Sequence, residues 1–137
     1  MSCYSKNIGK VRSMKILIVE DSQDMLDTLL DHFQHHHCFP ASSSEQASIL
    51  AGKNRFDLVI TDLNLSNGNS MGGGIRIISE VRSKHDTAIF VYSGEMLPDT
   101  MLKELGVNRS IAKPNILELS RAVSNLQLHI TRNALAS

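Results

Sequence analysis

The stretch F-D-L-V-I-T-D, from Phe56 to Asp62, decides the fold, because it is an apolar run that ends in a carboxylate. A similar run, K-I-L-I-V-E, extends from Lys15 to Glu20 near the start of the chain. Almost unbroken apolar strands of this kind are typical of parallel sheets whose two faces are both covered by helices. Segments with helical periodicity follow both runs, and the alternation predicts an α/β domain.

Five units of strand and helix can be assigned along the chain. Strands are predicted near 15–20, 38–41, 56–62, 87–92 and 108–112, with helices after each of them. Helix 1 can be capped by Ser22, helix 2 covers about 44–53, helix 3 follows a glycine-rich loop at 66–74, and helix 4 covers about 98–106. Pro40 cannot donate a hydrogen bond to a ladder, so the second strand is expected at an edge of the sheet.

The last helix has a clear start and one apolar face. Asn115 can cap it, and Glu118 lies three residues later, as in a capping box. The apolar residues recur every three or four positions and form a stripe. They are Ile116, Leu119, Val123, Leu126 and Ile130. This spacing also resembles a coiled-coil seam, but it covers only two heptads, so packing on the sheet is the preferred interpretation.

Length and composition favour one soluble domain. The chain has 137 residues, which we divide into a polar leader at 1–13, a domain at 14–131 and a short tail at 132–137. The formal net charge is zero, which argues against direct nucleic-acid binding, and the apolar runs are too short to cross a membrane. The leader has no apolar core of a secretory signal, and two cysteines suit a reducing compartment, so a cytoplasmic location is expected.

Reactive side chains lie at or directly after the carboxyl ends of four of the predicted strands. Because the carboxyl ends of parallel strands lie along one edge of a sheet, these side chains should meet there. They are Glu20, Asp21, Asp62, Ser93 and Lys113. Carboxylates about 4 Å apart repel by about 4 kcal/mol per pair at an effective dielectric constant of 20, so the cluster requires a cation. Oxygen ligands without histidine or thiolate predict Mg²⁺ rather than zinc.

The same set of groups suits a phosphoryl group. A phosphoryl group is stabilised by a metal ion, an ammonium and a hydroxyl donor around its oxygens, and Asp21, Ser93 and Lys113 can supply or hold these. Asp62 can then act as the nucleophile and form an aspartyl phosphate. The protein would be substrate and catalyst at once, and no other enzymatic activity is expected.

From about residue 15 to residue 130, the sequence resembles the receiver domains of two-component response regulators. The matching motifs are I-L-I-V-E-D-S, L-V-I-T-D-L-N-L, V-Y-S-G-E and I-A-K-P-N. The resemblance implies a flavodoxin-like, doubly wound sheet of five parallel strands in the order 2-1-3-4-5, with five helices. It also implies Mg²⁺ bound by Asp21, Asp62 and the backbone carbonyl of Asn64, with Glu20 acting mainly through water, and a cis Lys113-Pro114 bond.

The resemblance further implies partners and a mode of signalling. The phosphodonor would be a histidine kinase or a histidine phosphotransfer protein, and phosphorylation of Asp62 would change contacts with a downstream protein. A receiver cut from a hybrid kinase or from a longer regulator would have the same sequence features.

Two departures from the family pattern leave a second function open. The aromatic residue usual three positions before the lysine is Ser110, and the usual proline and short turn after strand 3 are replaced by Ser66 and a longer glycine-rich loop. Tyr92 either takes over the aromatic switch or is a packed strand residue. The departures leave open a receiver-fold interaction module with weak or no phosphorylation control.

Two other functions are disfavoured by the sequence. A nucleotide- or flavin-binding protein would need a glycine-rich loop after strand 1, whereas E-D-S-Q-D would repel phosphate. The glycines at 68–74 are not followed by G-K-S/T. His35, His36 and His37 are consecutive and point in different directions, so they predict a solvated helix end rather than a metal site.

Overall fold

The computed structural model describes residues 11–65 and 72–136, which form alternating strands and helices. The strands are β1 (Lys15–Val19), β2 (His37–Ala41), β3 (Leu58–Thr61), β4 (Ala88–Ser93) and β5 (Arg109–Ala112). The helices are α1 (Gln23–His32), α2 (Ser44–Lys53), α3 (Gly72–Lys84), α4 (Asp99–Leu105) and α5 (Ile116–Ala136). The predicted α/β architecture of five strands and five helices is confirmed.

All strands are parallel, and their order in the sheet is β2-β1-β3-β4-β5. This is the flavodoxin-like order that the family resemblance implied. β2 is an edge strand, which explains how Pro40 is accommodated, since one side of that strand has no ladder to complete. The central strands β1 and β3 are almost completely buried, as their apolar sequences predicted.

Two apolar clusters cover the two faces of the sheet. Residues such as Leu17, Val59 and Ile89 point to the side of α2, α3 and α4. Their neighbours along the same strands, such as Ile16 and Ile60, point to α1 and α5. Because successive strand residues alternate between faces, one sheet supports both helical layers and is doubly wound.

The last helix packs on the sheet, as its apolar stripe predicted. Leu119 and Val123 are buried in the cluster beneath α1 and α5, and the other residues of the stripe pack against it. Asn115 caps the helix as predicted, because the Glu118 N–H donates to Asn115 Oδ1 (3.2 Å). The second bond of a capping box is replaced: Glu118 Oε1 accepts from Asn115 Nδ2 (2.9 Å), while the Asn115 backbone N–H donates to the Ala112 carbonyl (2.9 Å). Within the described residues, no helix is long and apolar enough to cross a membrane.

Two predicted boundaries need correction. α5 continues to Ala136, so 132–136 extend this helix rather than form a separate tail. The chain after Pro114 contains neither glycine nor proline, so nothing in it stops the helix. Residues 72–74, predicted as loop, form the first turn of α3. The rest of the predicted loop, 66–71, and most of the polar leader lie outside the described residues.

Candidate functional site

The predicted site residues lie along the edge formed by the carboxyl ends of the strands. Glu20 directly follows β1, Asp62 follows β3, Ser93 is the last residue of β4, and Lys113 follows β5. Pairing of Thr61 with Val91 in the β3–β4 ladder brings Asp62 and Ser93 to the same end of neighbouring strands. Lys113 is held beside β4 because its backbone N–H donates to the Ser93 carbonyl (3.0 Å).

Three carboxylates meet at this edge. Oxygens of Glu20, Asp21 and Asp62 all lie within 4.8 Å of one another. Glu20 and Asp62 are buried, with exposures of 2% and 7%, whereas Asp21 is exposed. These three side chains offer only oxygen ligands, and the cluster is open to solvent at Asp21. Such an arrangement fits a hard divalent cation that retains water ligands. Among the described residues, this is the one group of three or more acidic, histidine or cysteine side chains with such spacing.

Lys113 bridges two of the three carboxylates. Its Nζ donates to Glu20 Oε1 and to Asp62 Oδ2, at 2.7 Å in each case. Burial alone would lower the pKa of Lys113, but the hydrogen bonds to Asp62 and Glu20 together raise it above its ordinary value. The ammonium is therefore fully charged at neutral pH. Sequence reasoning assigned Lys113 to a phosphoryl group and did not predict its bond to Glu20.

Glu20 is the most deeply buried acid of the cluster. Its burial raises its pKa, and the hydrogen bond from Lys113 and the Ser22 N–H partly offset this effect. The Ser22 N–H donates to Glu20 Oε2 at 3.0 Å, and the Ser22 hydroxyl in turn caps α1. The same short loop thus begins α1 and fixes the orientation of the Glu20 carboxylate.

Asp62 is held on both of its oxygens. Oδ2 accepts from Lys113, and Oδ1 accepts the backbone N–H of Asn64 at 3.1 Å. The Asp62 N–H donates to the Val19 carbonyl (3.1 Å), which ties the end of β3 to β1. The side-chain Oδ1 of Asn64 is buried and has no hydrogen-bond partner among the described residues. The bond from the Asn64 N–H to Asp62 Oδ1 closes a turn over residues 62–64 beside the acidic cluster.

Ser93 is buried at the same edge, with an exposure of 1%, and its Oγ accepts the backbone N–H of Glu95 (3.0 Å). The Lys113-Pro114 peptide bond is cis, as the resemblance implied. Asn115 follows this bond, and α5 begins at the next residue, Ile116.

Gly74 is a part of this region that sequence reasoning missed. Its N–H donates to the Leu63 carbonyl (3.1 Å), so the first turn of α3 lies directly against the turn after β3. The run of three glycines at 72–74 was the available signal, but glycine runs usually predict a loop rather than a close backbone contact.

Ser110, which stands where the family usually has an aromatic residue, leaves space at the end of the sheet unfilled. The Ser110 Oγ is buried and has no hydrogen-bond partner among the described residues. Ser110 lines a cleft of about 350 Å³ whose apolar wall includes Leu102 and Val107. Tyr92, in contrast, is 1% exposed and belongs to the apolar cluster under α5, as expected for a packed strand residue.

Comparison with known proteins agrees with this fold. Residues 16–124 match the response regulator receiver domain, and the chain belongs to this family. The regulatory protein VirG of Agrobacterium tumefaciens is 26% identical over 127 residues, which are 89% of this chain and 46% of VirG. This chain therefore spans about half the length of that relative.

Solved receiver structures have the same fold. The non-phosphorylated HemR receiver domain of Leptospira biflexa is 25% identical, with a TM-score of 0.71 over 82% of this chain and 92% of that one. The chemotaxis response regulator CheY4 of Vibrio cholerae is 24% identical, with a TM-score of 0.73 over 84% and 99% of the two chains. Response regulator TrrA of Thermotoga maritima, solved in complex with Mg²⁺-BeF, is 23% identical, with a TM-score of 0.70 over 82% and 97%.

Proposed function

We propose that this chain accepts a phosphoryl group on Asp62 from a phosphohistidine of a histidine kinase or a histidine phosphotransfer protein. Phosphorylation then changes its contacts with a downstream protein. The observation that carries this proposal is the environment of Asp62. Its carboxylate is almost completely buried beside two further carboxylates, and it accepts hydrogen bonds from the Lys113 ammonium and the Asn64 N–H.

Mg²⁺ is the proposed cofactor, held by Asp21, Asp62 and the backbone carbonyl of Asn64, with Glu20 acting mainly through water. Three carboxylates within 4.8 Å, with one of them exposed to solvent, support this assignment. The ion would neutralise the negative charge that a phosphoryl group adds to an already acidic cluster. The Mg²⁺-BeF complex of TrrA supports the same choice of metal for a receiver fold.

The chemical step is a transfer between a nitrogen and an oxygen. An oxygen of the Asp62 carboxylate attacks phosphorus, and the bond between phosphorus and the donor imidazole breaks. The imidazole nitrogen retains the electron pair of that bond and takes up a proton from water. The product on Asp62 is an acyl phosphate. Attack of water on phosphorus later breaks the bond between phosphorus and the Asp62 oxygen, which restores the carboxylate and releases inorganic phosphate.

Lys113 and Ser93 have separate proposed roles in this step. The Lys113 ammonium leaves Asp62 Oδ2 and pairs with a phosphoryl oxygen, which keeps one positive charge at the reacting atoms. The Ser93 hydroxyl, whose oxygen accepts the Glu95 N–H, would donate its proton to a phosphoryl oxygen, and the resulting shift of this hydroxyl would pass the signal to the start of α4. The protein would catalyse only its own phosphorylation and dephosphorylation.

A second candidate is an interaction module of the receiver fold without phosphorylation control. The observation that favours it is Ser110, whose buried hydroxyl finds no hydrogen-bond partner in the described part of the chain and lies beside a cleft of about 350 Å³. The cytoplasm is the proposed location for either function, because Cys38 forms no disulfide within the described residues, as is usual in a reducing compartment.

Incubation with acetyl phosphate and Mg²⁺, followed by intact mass measurement, tests the proposal. The wild type should gain one acid-stable, base-labile phosphoryl group. Asp62→Asn should gain none, and Asp31→Asn, which changes an exposed aspartate of α1, should behave like the wild type. Unchanged modification of Asp62→Asn would refute the assignment. An unmodified wild type would favour the second candidate.

A further inference from the structure

The first turn of α3 packs more tightly against the site than a residue with a side chain would allow. A Cβ atom added to Gly74 would lie 2.5 Å from Leu63 Cα and 2.8 Å from the Leu63 carbonyl oxygen, and closer still to the Asp62 carbonyl oxygen. Real Cβ atoms essentially never approach other heavy atoms within 3.0 Å. All three neighbours are backbone atoms, which cannot rotate away as the end of a side chain could.

The reason for a glycine here is space rather than backbone conformation. Gly74 lies in the first turn of α3, and within helices alanine is favoured over glycine, by about 1 kcal/mol at interior positions. In contrast, Gly106 at the end of α4 has a φ of 81°, which favours glycine whatever the space around it. Gly74 is buried, and its N–H donates to the Leu63 carbonyl at 3.1 Å.

We infer that Gly74 is a positioning residue that fixes the backbone carrying two proposed ligands of Mg²⁺, Asp62 and Asn64. Leu63 lies between these two residues, and Gly74 contacts it both through space and through a hydrogen bond. The inference rests on the proposed function, because Asn64 is a proposed ligand only through its carbonyl. A carbonyl ligand is oriented by the backbone alone, so an α3 helix held further away would let that oxygen turn.

Mg²⁺ is more sensitive than Ca²⁺ to such a change. It demands nearly ideal octahedral geometry with short bonds, whereas Ca²⁺ accepts a larger and more variable set of oxygen ligands. Displacement of the 62–64 turn should therefore weaken Mg²⁺ binding more than Ca²⁺ binding. Loss of folded protein alone would weaken the binding of both ions by the same factor.

The test compares metal binding by the wild type, Gly74→Ala and a matched control. In Gly52→Ala the added Cβ meets no atom within 4 Å, so this variant makes the same chemical change in α2 without a clash. Mg²⁺ and Ca²⁺ affinities are measured by calorimetric titration, and the free energy of unfolding by urea. Gly74→Ala should lose about 10-fold to 100-fold in Mg²⁺ affinity, the range seen when groups that orient metal ligands are changed, and clearly less in Ca²⁺ affinity.

Each outcome of the titrations decides one of the two claims. Unchanged Mg²⁺ affinity in a folded Gly74→Ala, or equal losses for both ions, would overturn the role of Gly74 while leaving the proposed function standing. A wild type that binds no Mg²⁺ would overturn the proposed function, and the role of Gly74 with it. Gly52→Ala should bind both ions like the wild type.

Hydrogen exchange in the wild type tests the same inference if Gly74→Ala does not fold. If opening of the bond from Gly74 N–H to Leu63 disrupts the metal site, Mg²⁺ at 100 times its Kd should slow exchange of the Gly74 amide by about 100-fold. The Gly52 amide, near the end of α2, should change much less. An unchanged exchange rate at Gly74 under saturating Mg²⁺ would refute the coupling.

Discussion

Lys113 offers the sharpest test of how the acidic cluster is stabilised. Lys113→Met keeps an unbranched side chain and removes the ammonium that contacts Glu20 and Asp62. The side chains of Glu20, Asp62 and Lys113 are 2%, 8% and 20% exposed, so solvent screens these pairs only weakly. The substitution leaves two buried carboxylates facing each other with no compensating charge.

The expected loss can be estimated from the geometry. Two unit charges 2.7 Å apart attract by about 6 kcal/mol at an effective dielectric constant of 20. Desolvation cancels much of this attraction, and removal of one partner from a buried pair typically costs about 3–5 kcal/mol. Because Lys113 retains some exposure, we expect the lower limit, a loss of about 3 kcal/mol in the free energy of unfolding without metal.

Urea denaturation monitored by circular dichroism measures this loss. With an m-value of about 1.5 kcal/mol per M, the midpoint should fall by about 2 M. Mg²⁺ should reduce the difference between variant and wild type, because in the variant the metal no longer competes with Lys113 for the carboxylates. Lys84→Met, at the exposed end of α3, is the control and should change stability by less than about 0.5 kcal/mol.

Two results would refute this reasoning. A loss below about 1 kcal/mol would mean that the bridge contributes no more than a surface ion pair. An equal loss with and without Mg²⁺ would mean that the metal and the ammonium do not share the carboxylates.

Three further expectations test other parts of the chain. The Nδ1 of His36 accepts the Met14 N–H at 3.0 Å, and burial lowers the pKa of this histidine in the folded protein. As the pH falls below 6.5, the unfolded chain therefore takes up the proton before the folded protein does. The free energy of unfolding should fall over this range, down to the folded-state pKa. His36→Asn should flatten that pH dependence in urea titrations and His35→Asn should not; parallel curves for the wild type and His36→Asn would exclude His36 as the cause. Asn115→Ala removes the cap of α5 and should lower the unfolding free energy by about 1 kcal/mol, a prediction that an unchanged urea midpoint would contradict. With beryllofluoride, amide shifts at 109–111 should be modest in the wild type and larger in Ser110→Phe, which can fill the cleft beside Leu102; large shifts already in the wild type would show that another residue acts as the switch.

Much of the fold was predictable from local sequence. The apolar runs of β1 and β3 specify buried parallel strands because residues on both faces of such strands must be apolar. Ser22 and Asn115 mark helix starts because the side chain of a cap residue accepts a backbone N–H only three residues further along the chain. The grouping of the carboxylates, Ser93 and Lys113 at one edge followed from strand polarity, since any parallel sheet brings its carboxyl ends together.

Other features depended on contacts between distant parts of the chain. Lys113 bonds Glu20 across 93 positions, and no local pattern distinguishes this bond from a lysine reserved for a phosphoryl group. The glycines at 72–74 predicted a loop because glycine favours irregular backbone, yet Gly74 is helical and lies against Leu63. The sequence determined which elements form and which groups share an edge, because these depend on periodicity and chain direction. The tertiary structure decided which atoms touch, because close approach depends on how separate elements pack in three dimensions.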